Sequence, residues 1–533
     1  MTIDSESPGE AVAADDPSSG GTLIDRRGLF LNAGKLAAAA AAAGPFFMAS
    51  EQAAAAEYAS TRAAAGDPIA KGAVDAAKKY KGQELTVLYE AQLQALDPKN
   101  FSGPLWEKLT GVKLNVVEAP FPQGFTKAVS EHIAKSGAFD VIDSTPSWLP
   151  DFADRGVIAP LDSYIRKYKA QSTLKDLHPL YRALGTRKGK TWGFFDDGDI
   201  FILYYRKDIF ANAKLKAAYK AKFKNELRVP RSWPEFNRVA QFITDQMAPK
   251  VYGTALSRAL GNGNWYNFYQ QFRSNGGQFF DPRTMKALIN NAIGVRTMEQ
   301  ILALTSAEPT GINKLDTVSQ WVAWLQGKTA MLYSWPPTGR LAENISQANK
   351  AFSFVPKSKI VGKVGYAVIP GRNGEHAGGY LKTVSADSKN AELAYLHAQW
   401  VTSPSISLQR VMLPYALRDP YRISHFKAPA YRKLWPSAAQ YLVALNNGAN
   451  TGVLDMIMSG AADYDAVLDR EMTAIFAGKS VKQGLDDAAK QWDAITNKLG
   501  VDAQRAAYQE FLKLPGSTSK NTVRARGQAV TIR

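Results

Sequence analysis

Cysteine is absent from all 533 residues. That excludes disulfides, a lipid-bearing cysteine anchor and thiolate-held metal clusters. Histidine is scarce: the five are His132, His178, His376, His397 and His425, and none pairs at metal-ligand spacing, which argues against a His-built zinc or iron centre. No phosphate-cradling loop, nucleophile elbow or Gly-rich dinucleotide turn occurs. Beyond residue 56 no run is long and apolar enough to cross a bilayer, which takes roughly 20 residues. Acids are outnumbered, 48 against 65 bases, for a formal charge of +17. The bases are scattered rather than striped with aromatics, so nucleic acid is not an expected partner; solubility and attraction to anionic surfaces are the expected consequences. What is present is ample core material: 45% apolar and 11% aromatic residues, in a length sufficient for about two or three domains.

The N-terminal stretch "DRRGLFLNAGKLAAAAAAAGPFF" (25–47) sets a basic pair before a mild apolar run. The uncharged run Leu36–Ser50 is 15 residues, too short to span a membrane. A basic region, a short apolar core and small residues at Ala54–Ala56 make an export signal. Arg26 and Arg27, then Gly28, Leu29 and Phe30, resemble the twin-arginine signal, with Asp25 where Ser or Thr is usual. Residues 1–56 are therefore expected to be a leader outside the fold. They hold three bases and seven acids, a net of −4, so the remainder carries +21. The last 18 residues, from Gly516, contain bases and no acid and read as a flexible tail, residues 516–533.

Between these ends, strand and helix patterns alternate. Residues 57–83 read as a helical lead-in. "ELTVLYEAQ" (84–92) reads as a strand, "GPLWEKLTGVKLNVVEAPF" (103–121) as a helix stopped by Gly111 and a second strand, and "FDVIDSTPSW" (139–148) as a buried strand entering a loop. "RSWPEFNRVAQFITDQ" (231–246) is a capped amphipathic helix and "VYGTAL" (251–256) a short strand. "KSVKQGLDDAAKQWDAITNKLG" (479–500) places Leu485, Trp492, Ile495 and Leu499 on one helical face, with Trp492 in the core. The alternation predicts an α/β fold with parallel sheets.

The segment "KGKTWGFFDDGDIFILYYRKDIF" (188–210) carries a resemblance. It is similar to the crossover of family 1 extracellular solute-binding proteins, the receptors of ABC-type sugar importers. That family usually shows Gly-x-Pro and then Tyr-Asn-Lys-Asp; here Phe195 replaces the Pro and Arg206 the Asn, and the spacing is kept. "RSWPEF", "QGKTAMLYSWPP" (326–337), "VGYAVIPGRNGEHAGGYLKTVSADSKNAELAYLHAQWV" (364–401) and "IFAGKSVKQGLDDAAKQW" follow in the family's order, so the resemblance covers about 84–500. It implies a two-lobed periplasmic-binding-protein-like fold, each lobe an α/β sheet, joined by a multi-strand hinge. Lobe I would be 84–197 plus 366–415 and lobe II 198–365 plus 416–515, with crossings near 195–200, 363–370 and 410–420. It also implies a monomer without a cofactor, exported to the periplasm, whose partners are an ABC permease pair in the inner membrane, a cytoplasmic ATPase and, given the leader, the twin-arginine export machinery.

A sugar offers apolar faces that stack on aromatics and hydroxyls that need directed partners. Ligands of open α/β sheets lie beyond the carboxyl ends of strands. That rule and the family pattern select Glu90 at the end of the first strand, and Ser144, Thr145 and Trp148 after the "DVID" strand. They also select Asp197 and Asp199 as hydroxyl acceptors, Trp265 and Tyr266 in "GNGNWY", and Trp335 as a stacking ring. Gly379 and Tyr380 in the return loop, Arg422 in "LRDPYRIS" and Tyr464 in "GAADYD" complete the set. Arg422 and the net charge leave room for an acidic or phosphorylated sugar. Two other classes stay open: an exported carbohydrate hydrolase or lyase using the 196–199 acids, and a surface adhesin.

Overall fold

Local chemistry decides most of the elements. The computed structural model describes residues 66–532 apart from 92–93, 262, 344–354, 372 and 414–416. The expected leader, 1–56, and the first residues of the lead-in lie outside the described residues. The lead-in's described part is a helix, Pro68–Ala77, capped by Asp67, whose carboxylate accepts from the Ile69 and Ala70 amides. The alternating, branched run that follows forms β1 (Glu84–Glu90). The helix Gly103–Thr110 stops at Gly111, which takes the left-handed conformation at φ 76° that glycine adopts without steric cost. β2 (Lys113–Ala119) then lies parallel to β1 in the register Glu84↔Lys113 to Glu90↔Ala119.

β3 (Val141–Ser144) pairs on the other side of β1, again parallel. β4 (Ile158–Ala159) is followed by a small hairpin of β5 (Thr186–Arg187) and β6 (Lys190–Thr191), and by β7 (Gly193–Phe195). The chain then leaves for a second sheet: β8 (Ile202–Arg206), β9 (Met331–Ser334) and β10 (Val364–Ala367), all antiparallel, in the order β10-β8-β9. β11 (His376–Ala377) pairs parallel with β13 (Val453–Leu454). β12 (Leu381–Ser385) lies back in the first sheet, antiparallel to β3, β4 and β7. The first sheet is therefore mixed, order β2-β1-β3-β12-β4, where the sequence suggests a parallel one.

Three further differences have physical reasons. "VYGTAL" forms only an isolated bridge, Tyr252 with Thr329. Gly253 presses on the helix before it, where a Cβ would fall 2.0 Å from the Ala240 carbonyl oxygen. Residues 364–367 stay with the second sheet through β8, so the return crossing falls at 378–380, after the expected 363–370. The residues after 515 are docked: the Asn450 and Asn446 side-chain amides donate to the Val530 carbonyl, the Val530 amide donates to Asn450 Oδ1, and Val523 is fully buried. Their polarity made them read as a flexible tail, but backbone hydrogen bonds, which composition does not reveal, hold them.

Capping works as the sequence predicts in the helix Trp233–Met247, where Ser232 accepts from the Glu235 amide and Glu235 accepts from the Arg231 amide. Trp492 is buried in the helix Val481–Leu499, its indole N–H donating to the Tyr464 carbonyl.

The three segments between the sheets are stitched together. The Asp196 amide donates to the Tyr380 carbonyl (2.8 Å), Gly198 to Asp419 (3.0 Å), Gly378 to Asp199 (3.2 Å) and Phe201 to His376 (2.9 Å). Around them sits a fully buried ion network. Arg410, on the helix Pro404–Met412, donates to Asp97 at 2.7 Å and grips Asp196 with both terminal nitrogens. Lys382 pairs with Asp143 and, at 2.9 Å, with Asp196; Arg418 reaches Asp143 at 2.7 Å; Arg340 pairs with Asp419. Burial works against the charge of Asp196, yet Arg410, Lys382 and Arg418 together hold its carboxyl far below the usual range.

Removing one member of such a network leaves buried charge uncompensated. Arg410→Met is expected to lower unfolding stability by about 3–5 kcal/mol, read from urea midpoints; a loss under about 1 kcal/mol would show that the network does not hold the fold. Gly379 has φ +119° and a Cβ there would lie 1.9 Å from the Asp197 carbonyl oxygen. Gly379→Ala is therefore expected to cost at least about 1–3 kcal/mol in the same measurement.

Candidate functional site

A cavity of about 220 Å³ opens where the crossing segments meet the carboxyl ends of the strands. Its first wall comes from the end of β1 (Glu90, Gln94) and the turn after β3 (Thr145, Ser147). Its floor is the crossing itself: Asp199, Gly378, Gly379, Tyr380 and Asp419. Its second wall carries Trp265, Tyr266, Trp321, Trp335 and Asp455. Each wall thus belongs to a different sheet's surroundings, with the crossing between them.

The aromatic wall is built by mutual packing. Trp335 follows β9, and its ring centroid lies 4.1 Å from Phe201 and 5.1 Å from Tyr266 in an edge-on contact. Tyr266 in turn sits 4.8 Å from Trp265 and 4.6 Å from the His376 ring. Trp265 opens the helix Trp265–Ser274, and its indole N–H is buried with no hydrogen-bond partner among the described residues. Across the cavity the Tyr380 hydroxyl donates to Glu90, and the Arg418 guanidinium lies 5.2 Å over the Tyr380 ring.

Carboxylates supply the ionisable chemistry. Burial pushes Glu90 up to about 7, against the opposing bond from Tyr380. Burial also raises Asp455 to about 7. Asp199 is raised well above its ordinary value by burial and then by the neighbouring charges of Asp197 and Asp419. His376 is lowered to about 3 by burial, and so is a neutral imidazole. Oxygens of Asp197, Asp199 and Asp419 lie within 4.8 Å of one another. Arg418 already stands 3.6 Å from Asp197 and Arg340 on Asp419, so guanidinium groups fill the place of a cation on two of the three.

Of the residues selected from sequence, Glu90, Thr145, Asp199, Trp265, Tyr266, Trp335, Gly379 and Tyr380 line this cavity. The others are placed elsewhere. Asp197 lies behind the floor, fully buried, accepting from the Asp419 amide at 2.8 Å. Ser144 is buried within β3. Trp148 is turned into a cluster with Phe121, Phe125 and Phe152. Arg422 is a buried structural donor to the Thr173 and Thr402 carbonyls and the Thr173 hydroxyl, so it is not available to an acidic or phosphorylated ligand. Tyr464 packs on Phe280 and Trp492, with its hydroxyl on Thr496 and Gln504.

Sequence reasoning missed Gln94, Trp321, Asp419 and Asp455. Asp419 stood within the expected third crossing, which was the available signal. Trp321 and Trp324 share the helix Thr317–Leu325 and both pack into the core, and of the two Trp321 reaches the cavity. Asp455 follows a two-residue strand too short to read.

Comparison with known proteins gives concordant results. The family model described as bacterial extracellular solute-binding protein matches residues 83–406, more than half of the chain. Among solved structures, a ribitol complex of an ABC transporter solute-binding protein from Agrobacterium radiobacter K84 is 21% identical, with a TM-score of 0.65 over 78% of this chain and 99% of that one. A D-mannitol complex of a solute-binding protein from Agrobacterium vitis S4 is 20% identical, TM-score 0.65, covering 79% and 99%. Maltose-bound MalE3 of T. maritima is 19% identical, TM-score 0.64, covering 78% and 100%. These likenesses establish the two-lobed α/β fold.

Glu90 and Asp455 bind protons more tightly folded than unfolded. Between their ordinary values, 4.5 and 3.8, and about 7 the folded state holds the extra protons. Stability should therefore fall as pH rises through that window. Glu90→Gln is expected to flatten part of the slope in urea midpoints taken from pH 4.5 to 8; an unaltered slope would contradict the protonated, buried Glu90.

Proposed function

The chain belongs to the family of bacterial extracellular solute-binding proteins, and from that premise we propose that it is an exported receptor which captures a sugar or polyol between its lobes for an ABC import permease. The observation that carries the reading is the cavity wall. Trp335, Tyr266 and Trp265 offer ring faces for the apolar side of a sugar, and Glu90, Thr145 and Asp199 offer acceptors and a donor for its hydroxyls. The similar proteins from two Agrobacterium species, with ribitol and D-mannitol bound, support a small polyhydroxylated ligand. Family membership favours a receptor over the hydrolase or lyase alternative.

Capture would come from the lobes closing about the three crossing segments, and delivery from the closed form docking on permease subunits served by a cytoplasmic ATPase. The Arg26–Arg27 leader supports export by the twin-arginine route to the extracytoplasmic face. Among the described residues no helix is long and apolar enough to cross a membrane.

A ligand that binds only the folded state raises the unfolding midpoint with concentration. A panel of pentitols, hexitols, mono- and disaccharides is expected to contain at least one compound that does so without being consumed. Trp335→Ala should then weaken its Kd by roughly tenfold, the equivalent of about 1.4 kcal/mol. Consumption of the compound would indicate an enzyme, and no shift across the panel would contradict the receptor reading.

A further inference from the structure

The charges on the cavity wall point beyond a neutral sugar. Among the described residues, leaving tyrosine aside, its ionisable lining residues are Glu90, Asp199, Asp419 and Asp455, with no Lys, Arg or His in the lining. This holds in a chain whose formal charge is +17, so the acidic wall is local. Of the four, only Asp419 has an Arg or Lys within 4 Å among the described residues, its partner being Arg340. Glu90 has the Tyr380 hydroxyl, Asp455 a neutral His376 at 3.8 Å, and Asp199 no ion pair.

The buried network behind the floor does not make up the difference. Asp97, Asp143, Asp196 and Asp197 already engage Arg410, Lys382 and Arg418. Polar atoms of the lining are also left open: Nε1 of Trp265, a residue 6% exposed, Oε1 of Gln94 and Oδ1 of Asp455 have no hydrogen-bond partner among the described residues. With the cavity empty, burial favours the protonated forms of Glu90, Asp199 and Asp455; an anion would find no cation in the lining, and a cation would take the place of those protons. Trp335, Tyr266 and Trp265 line the same cavity, and aromatic faces attract a desolvated cation by their quadrupoles.

Resting on the receptor reading, we infer that the solute is a cationic polyol: an amine-bearing sugar or sugar alcohol, protonated at nitrogen. Its ammonium faces the Asp199 and Asp419 carboxylates and its carbon skeleton lies against Trp335. On binding, the ammonium displaces the proton that Asp199 holds in the empty cavity and makes charge-assisted hydrogen bonds there, while the solute's hydroxyls meet Thr145, Gln94 and the Trp265 N–H.

Two triplets that differ in a single functional group test this by calorimetry and thermal shift on the purified protein at pH 7.5. One is 1-amino-1-deoxy-D-glucitol, D-glucitol and D-gluconate; the other is D-glucosamine, D-glucose and D-glucuronate. The amine is expected to bind at least tenfold tighter than the neutral member in a triplet that binds, and the acid not at all. Asp199→Asn should narrow the gap between amine and neutral members. A neutral or acidic member that binds as well as its amine overturns the inference and leaves the receptor standing. So does any neutral solute of the wider panel that outperforms both amines. Silence from the triplets and the panel together removes the receptor reading, and this inference with it.

Discussion

The structure depends on one constraint: the chain passes between two sheets three times, and the passages must be held together without water. Arg410, Lys382 and Arg418 do this by pairing with Asp97, Asp143 and Asp196, all fully buried. Burying so many charges costs more than their attraction returns unless each is well placed. Here the partners come from distant parts of the sequence. Asp97 precedes the helix Gly103–Thr110, Asp196 opens the first crossing, Lys382 is on β12, Arg410 is on the helix before the third crossing, and Arg418 is on that crossing beside Asp419. The network therefore fixes which segments cross side by side, and the backbone bonds among residues 196–201, 376–380 and 419 follow from that placement.

The same network sets the electrostatics of the cavity in front of it. Its cations face backwards, towards Asp143 and Asp196, or across Asp419, and among the described residues none lines the cavity. The floor thus shows carboxylates, and burial pushes their proton affinities up rather than down. Around that floor, the rings of Trp265, Tyr266, Trp321 and Trp335 form a second wall. Structure-holding charge lies behind, and solute-facing acid and aromatic surface lie in front, so a change in the network reaches the cavity through Asp197, Asp199 and Asp419.

Much of this was legible in the sequence where the signal is local. β1, the Gly111 stop, the Ser232 cap and the buried Trp492 all follow from neighbouring residues. So did the two-lobed α/β fold, through the ordered run of motifs from 188 to 401. What was not legible depends on partners far away. Trp148 and Trp335 both follow a strand, yet Phe121, Phe125 and Phe152 surround the first, and the second lines the cavity. Arg422 looks like a ligand donor in "LRDPYRIS" until the Thr173 and Thr402 carbonyls are brought to it. The C-terminal residues look unbound until Asn446 and Asn450 reach Val530. Asp455, after a two-residue strand, carries no local mark at all.

The most direct test of the central claim is a crystal structure of the protein grown with whichever solute raises its unfolding midpoint most. The account predicts difference density for one solute molecule between Glu90 and Tyr380 on one side and Trp265 and Trp335 on the other, in contact with Asp199. Solute density only outside that cavity, with the cavity itself unchanged, would contradict it.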